Sequence, residues 1–119
     1  MRAMTIFYVA LGGAFGATLR YLTSLVVAFP FGTLAVNVVG SFAMGLAFVL
    51  IAQKGLDRVV LFAMTGVLGG FTTFSAFSLD AFRLYERGDV GPAVLYVVGS
   101  VILSLLGLVA GIALARGMT

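Results

Sequence analysis

The sequence contains no cysteine, histidine or tryptophan, and it has only four acidic residues. Without cysteine and histidine, the chain has no disulfide bonds and no zinc, haem or iron–sulfur site built on those ligands. No acidic residue precedes Asp57. General acid–base catalysis therefore has almost no side chains to use, and we expect a protein that is not an enzyme.

Charge is scarce as well. Only 9% of the 119 residues are charged and 62% are hydrophobic, whereas a soluble domain has about 25% charged residues. The mean hydropathy is +1.22. This composition excludes a soluble globular domain and a disordered tail. The seven basic residues are scattered, so we expect no nucleic-acid partner. Residues 1–119 are predicted to form a single membrane domain in contact with the lipid bilayer.

The uncharged stretches set the number of membrane helices. A transmembrane helix needs about 20 apolar residues, and Pro30 with Gly32 divides the longest uncharged stretch, 21–53. The N-terminal apolar run continues past Arg20 to Phe31, so we expect no cleaved signal peptide. The sequence predicts an all-α membrane protein whose four transmembrane helices lie at about 4–28, 33–53, 58–87 and 90–115.

Lysine and arginine counts give the orientation only weakly. Four spans place Arg2, Lys54, Arg58 and Arg116 on one side of the membrane. The other side has Arg83 and Arg87, with Arg20 embedded but nearer to that side. A difference of four against three leaves two interpretations open. One is a weak preference for a cytoplasmic N-terminus, and the other is insertion in both orientations.

Glycine is abundant, with 16 residues. Several glycines are spaced four apart, which permits close approach of helices. Because four helices leave little room for an internal aqueous path, we expect any transport path to form between subunits. The three pairs are Gly12 with Gly16, Gly66 with Gly70, and Gly107 with Gly111.

Two stripes of polar side chains lie within otherwise apolar spans. Residues four apart share a helix face, so each stripe lines one face of its helix. They are either hydrogen-bonding contacts between helices or the lining of a pathway. A neutral lining rich in N–H and O–H donors suits an anion that loses its water. The first stripe is Thr33, Asn37 and Ser41, and the second is Tyr96, Ser100 and Ser104.

Arg20 is the one charge inside the first span. It lies about 12 Å from the predicted helix end near Ala28, at 1.5 Å per residue. Its side chain can extend towards the membrane surface. Alternatively, it provides a fixed positive charge that faces a vestibule or a partner subunit and raises the local concentration of anions.

The segment 66–78 combines adjacent glycines with adjacent threonines at membrane depth, and both residue types propagate helices poorly. It predicts a break near residues 69–73, whose freed carbonyls could coordinate a small cation such as Na+ at a dimer interface. A simple packing kink is the alternative.

Phe74 and Phe77 follow the predicted break and share one helix face. Their rings either pack as ordinary apolar side chains or turn their positive edges to an anion path. The charged residues after them are predicted to pair along the helix end: Asp80, Arg83, Glu86 and Arg87.

The chain resembles the CrcB/Fluc family of bacterial fluoride channels along nearly its whole length. The resemblance depends on three segments in order: GAFGATLRY at 13–21, GTLAVNVVGSF at 32–42 and GGFTTFSAF at 69–77. It implies a dual-topology antiparallel homodimer in the bacterial inner membrane. The dimer would have two fluoride pores for passive export of toxic cytoplasmic fluoride, and a central structural Na+.

The resemblance also implies roles for individual residues. The Na+ would be held by the backbone carbonyls of Gly69 and Thr72, and Arg20 would be the vestibule arginine. The pore residues would be Asn37, Phe74 and Phe77, with the fourth-span track of Tyr96, Ser100 and Ser104. Thr33 and Ser41 complete the predicted lining, since they share the helix face of Asn37. Ala76 departs from the family's usual threonine, which removes one hydroxyl beside the path, and Asp80 stands where glutamate is common.

Two other functions compete with an anion channel. A small proton-coupled exporter would need a carboxylate at membrane depth, and the first two spans contain none. An assembly protein without transport activity would explain the glycines, but it would not explain two donor stripes beside a predicted helix break.

Overall fold

The computed structural model describes residues 2–119, and every long element in that range is a helix. Helix α1 is Arg2–Val26, α2 is Phe31–Leu50, and a short 3-10 turn follows at Ala52–Lys54. We label residues 57–71 as α3, which is π-helical over Val60–Leu68 and α-helical at both ends. Helix α4 is Phe74–Glu86 and α5 is Val90–Met118.

The prediction of an all-helical chain with four spans is confirmed. Four helical stretches are long and apolar enough to cross a membrane, and the third of them contains both α3 and α4. Continuous apolar length decides these elements, because a helix satisfies its own backbone groups in lipid. The stretches are Arg2–Val26, Phe31–Lys54, Asp57–Glu86 and Val90–Met118.

Glycines bring the helices into backbone contact in two pairs. A Cβ added to Gly12 would lie 2.9 Å from the Cα of Gly66, and one added to Gly16 would lie 2.8 Å from the amide nitrogen of Phe71. Helices α1 and α3 therefore touch through their main chains. Gly45 and Gly111 play the same part between α2 and α5. The glycine spacing that predicted close packing is used within the chain.

The two halves of the third span pack on different partners. Helix α3 lies against α1, and α4 packs on α5 through a buried cluster that includes Phe77, Leu84 and Tyr96. This division matters for the site, because the main chain passes from one partner to the other at residues 72 and 73.

The predicted charge pairs along the end of the third span are wrong. Asp80 is buried, and its Oδ2 accepts a hydrogen bond from the Tyr96 hydroxyl at 3.4 Å. Asp80 faces α5 because α4 turns that side inward. Within residues 2–119, the one salt bridge joins Arg87 to Asp89 at 3.6 Å, and both side chains are exposed. Such an exposed pair contributes little to stability.

Large apolar side chains cover much of the outer surface. Val26 is 82% exposed and Leu95 is 74% exposed, whereas a soluble protein rarely leaves broad apolar surfaces uncovered. Together with the four spans, this surface identifies a multi-pass membrane protein.

Candidate functional site

An open groove of about 280 Å³ lies between α2, the junction of α3 with α4, and α5. It brings together six of the eight residues predicted to line a pore. None of the residues that line the groove is charged. The full lining is Asn37, Ser41, Thr72, Thr73, Phe74, Phe77, Ser100, Val101, Ser104 and Leu105.

Thr72 and Thr73, which we call the extended pair, separate α3 from α4. Thr72 has φ −85° and ψ 156°, and Thr73 has φ −153° and ψ 119°. Gly69 and Gly70 remain helical. The threonines leave the helix because each side chain supports the change locally. Thr72 Oγ1 donates to the Leu68 carbonyl at 2.9 Å, and Thr73 Oγ1 accepts from the Ala76 amide at 3.1 Å, which caps α4.

Asn37 holds the extended pair from α2 by two hydrogen bonds. The Thr73 amide donates to Asn37 Oδ1 at 2.7 Å, and Asn37 Nδ2 donates to the Thr73 carbonyl at 3.0 Å. The side-chain amide thus replaces the partners that Thr73 would have in a helix. The Asn37 Nδ2 group carries two hydrogens, so one N–H is left for the groove that Asn37 lines.

Within the described range 2–119, the carbonyls of Gly69 and Thr72 accept no hydrogen bond. In a continuous helix, the Gly69 carbonyl would accept a hydrogen bond from the Thr73 amide in α-helical geometry, or from the Thr72 amide in 3-10 geometry. Instead, the Thr72 amide donates to Leu68 and the Thr73 amide to Asn37. No hydrogen bond among residues 2–119 ends on the Thr72 carbonyl. These are the two oxygens that the resemblance assigns to a cation.

Arg20 does not line the groove. Its Nε donates to the Gly70 carbonyl at 3.1 Å, and the contact is partly buried. Sequence reasoning offered a side chain extended towards the membrane surface or a vestibule charge, and it did not anticipate this hydrogen bond to the backbone of α3.

The two phenylalanines differ in exposure. Their ring centroids are 5.3 Å apart with an interplanar angle of 63°, an edge-to-face pair. Phe74 is 76% exposed, while Phe77 is 8% exposed and packs on the ring of Tyr96 at 5.4 Å. Phe74 therefore offers its ring to the open side of the groove, and Phe77 is fixed behind it.

The three residues of the second polar stripe do not all have the same surroundings in the structure. Ser100 and Ser104 line the groove, and the buried Ser100 Oγ has no hydrogen-bond partner among the described residues. A buried hydroxyl without a partner is costly, so this oxygen is available to a ligand or to water. The Tyr96 hydroxyl instead donates to Asp80, and its ring packs on the ring of Phe77. Thr33, one turn before Asn37, does not line the groove either.

Sequence reasoning placed Thr73 in the predicted break and Asp80 among the charge pairs, but it missed the contacts that each of them makes. Thr73 has a recognisable signal, because a threonine directly before an apolar helix start is a common N-cap. The contact of Asp80 with Tyr96 joins residues 16 apart on two helices. A pattern that is read along one helix does not report such a contact.

Comparison with known proteins agrees with the family resemblance found in the sequence. A family model described as "CrcB-like protein, Camphor Resistance (CrcB)" matches residues 7–112. A Cereibacter sphaeroides protein named fluoride-specific ion channel FluC is 59% identical, and the alignment covers 95% of each chain. A protein of the same name from Paracoccus denitrificans is 48% identical over 96% of each chain. Another from Rhodopseudomonas palustris is 53% identical over 98% of this chain and the whole of that protein.

The Asn37 contacts predict the effect of removing its amide. Asn37→Ala leaves the amide and carbonyl of Thr73 without partners, which should lower the free energy of unfolding by about 1–3 kcal/mol. Ser41→Ala is the matched control, because Ser41 lines the same groove without bonding the extended pair. Equilibrium unfolding in mixed micelles measures both variants, and equal stability would contradict the assigned role of Asn37.

Proposed function

This chain belongs to the CrcB-like family, and we propose that it forms a fluoride-selective channel in the bacterial inner membrane. It would allow toxic cytoplasmic fluoride to leave passively, and it is not an enzyme. The observation that carries this proposal is the uncharged groove, where amide and hydroxyl donors and two phenylalanine rings converge. The fluoride-specific names of its relatives support the choice of ion.

The chemistry of fluoride explains why an uncharged lining is suitable. Fluoride is small and strongly hydrated, so it gives up its water only to compact hydrogen-bond donors. A buried lysine or arginine in the narrow part would hold the ion too tightly for rapid release. Several weaker donors in sequence allow both entry and exit. Asn37, Ser100 and Ser104 are such donors.

Phe74 and Phe77 would contribute the positive edges of their rings. An aromatic ring has a negative face and a positive edge, so an edge turned to the path attracts an anion weakly. The edge-to-face geometry of the pair fixes the direction of each ring relative to the other.

The pathway would be completed by a second copy of the chain. The groove is open, and Phe74 is largely exposed on a single copy. An antiparallel homodimer would close two equivalent grooves and so form two pores. The nearly balanced distribution of lysine and arginine supports insertion in both orientations.

The carbonyls of Gly69 and Thr72 would hold a structural Na+ at the centre of this dimer. Small hard cations prefer oxygen ligands, and broken membrane helices offer carbonyls for them. Two free carbonyls from one copy make an incomplete shell, which the second copy would double. When bound, the ion supplies positive charge that balances these carbonyl dipoles and joins the subunits.

A proton-coupled exporter is less consistent with this site. That mechanism needs a carboxylate in the transport path, and no acid lines the groove. Asp80 lies within the third span, but it is buried against Tyr96.

Ion flux from liposomes tests the proposed activity. Vesicles that contain the protein should release fluoride much faster than chloride, because the lining replaces the water of the ion that its donors fit. Phe74→Ile and Phe77→Ile should each reduce fluoride release strongly while the dimer remains assembled. Phe82→Ile is the matched control, since Phe82 lies on α4 outside the groove. Comparable chloride release would contradict the proposed selectivity. Wild-type fluoride flux in both groove variants would show that the two rings have no role in conduction.

Cation replacement tests the proposed Na+ separately. When N-methylglucamine replaces Na+ throughout purification, the dimer should dissociate or melt at a lower temperature, because the carbonyls lose the cation that they bind. Size-exclusion chromatography and thermal unfolding measure this. A dimer with the same melting temperature in both salts would argue against a bound cation and would leave the fluoride assay unaffected.

A further inference from the structure

Arg20 supports the main chain at the end of α3. Because α3 ends at Phe71, the Gly70 carbonyl has lost the partner that a continuing helix would give it. The Arg20 Nε donates to this oxygen at 3.1 Å. A hydrogen bond from a charged donor is stronger than a neutral one, and a cation is favoured at the C-terminal end of a helix.

The helix that carries this side chain packs closely on α3. A Cβ added to Gly70 would lie 2.8 Å from the Gly13 carbonyl and 3.2 Å from the Ala17 amide nitrogen. Gly16, one turn before Arg20, is equally close to the backbone of Phe71. Helices α1 and α3 are therefore in main-chain contact on either side of Gly70, and the guanidinium reaches the Gly70 carbonyl from this closely packed helix.

The Gly70 carbonyl lies in sequence between the two free carbonyls of Gly69 and Thr72. From this arrangement we infer that Arg20 is a positioning residue for the proposed cation site. By binding the Gly70 carbonyl, Arg20 fixes that peptide and constrains the adjoining Gly69 peptide, so the Gly69 carbonyl keeps the direction in which it would bind a cation. The Thr72 carbonyl shares its peptide with the Thr73 amide, which Asn37 holds. This inference rests on the proposed Na+ site.

Two effects of Arg20 on a bound cation oppose each other. Its positive charge repels the cation, whereas its hydrogen bond to Gly70 orients the adjoining Gly69 carbonyl, one of the two proposed to bind the ion. Removing the side chain would therefore strengthen Na+ binding if charge dominated, and weaken it if positioning dominated. The sign of the change separates the two roles.

The experiment titrates thermal stability of the purified dimer with Na+ at constant ionic strength, using N-methylglucamine as the replacement. Arg20→Met removes charge and hydrogen bond, whereas Arg20→Lys retains the charge and a less directional donor. The control is Arg116→Met, at an exposed arginine in the last turn of α5. Arg20→Met should raise the half-stabilising Na+ concentration by about 10-fold or more, the size expected for one charged hydrogen bond. Arg20→Lys should lie between it and wild type, and Arg116→Met should match wild type.

Three results would overturn the inference. The first is an unchanged or lower half-stabilising Na+ concentration in Arg20→Met. The second is a lower melting temperature at saturating Na+ without any shift in the Na+ dependence, which would indicate a structural role alone. The third is Arg20→Met behaving like Arg116→Met in every respect.

A second readout covers the case in which the wild-type protein does not respond to Na+. That result defeats the cation proposal, and hydrogen–deuterium exchange of peptides that span residues 66–76 then tests the support of the backbone by Arg20. Arg20→Met should exchange about 10-fold faster there than Arg116→Met. Equal exchange in the two variants would show that Arg20 positions nothing at this junction.

Discussion

The paired hydrogen bonds between Asn37 and Thr73 are the constraint on which the site depends. An extended stretch inside a membrane helix leaves backbone groups without partners, and lipid offers none. Asn37 supplies both a donor and an acceptor to Thr73, at 3.0 and 2.7 Å. The side chain of Thr73 caps α4, so α4 begins afresh with Phe74 as its first residue.

The extended pair links the two proposed ion sites. On one side, it places Phe74 at the groove beside Asn37, Ser100 and Ser104. On the other side, it frees the carbonyls of Gly69 and Thr72. The backbone of α3 is held by glycine contacts with α1, and α4 is held by α5. The same few residues therefore determine the geometry of both the proposed anion site and the proposed cation site.

Much of this arrangement could be predicted from the sequence. Continuous apolar length indicated the four spans, and helical spacing placed Asn37 with Ser41 and Ser100 with Ser104. Contacts between helices could not be predicted in this way. Three features depend on tertiary packing: the hydrogen bond from Arg20 to Gly70, the contact between Tyr96 and Asp80, and the position of Thr33 outside the groove lining. The π-helical turn at Val60–Leu68 also has no pattern of its own in the sequence.

Within the predicted range 69–73, composition alone did not indicate which residues are extended. Glycines are poor helix formers, yet Gly69 and Gly70 remain helical, because the helix benefits from close packing of Gly70 against α1. The threonines leave the helix instead, since their side chains and Asn37 satisfy the freed groups. Local hydrogen bonding therefore decided the position, rather than helix propensity.

The most direct test of this account is the backbone conformation at Thr72 and Thr73 in a bilayer. Solid-state NMR of protein labelled at threonine and glycine gives the Cα and carbonyl chemical shifts of both residue types and the threonine Cβ shifts, which distinguish extended from helical residues. We expect extended shifts at both threonines and helical shifts at Gly69 and Gly70. Helical shifts through residues 69–76 would contradict the account, because a continuous third helix would leave neither free carbonyls nor a bonding partner for Asn37.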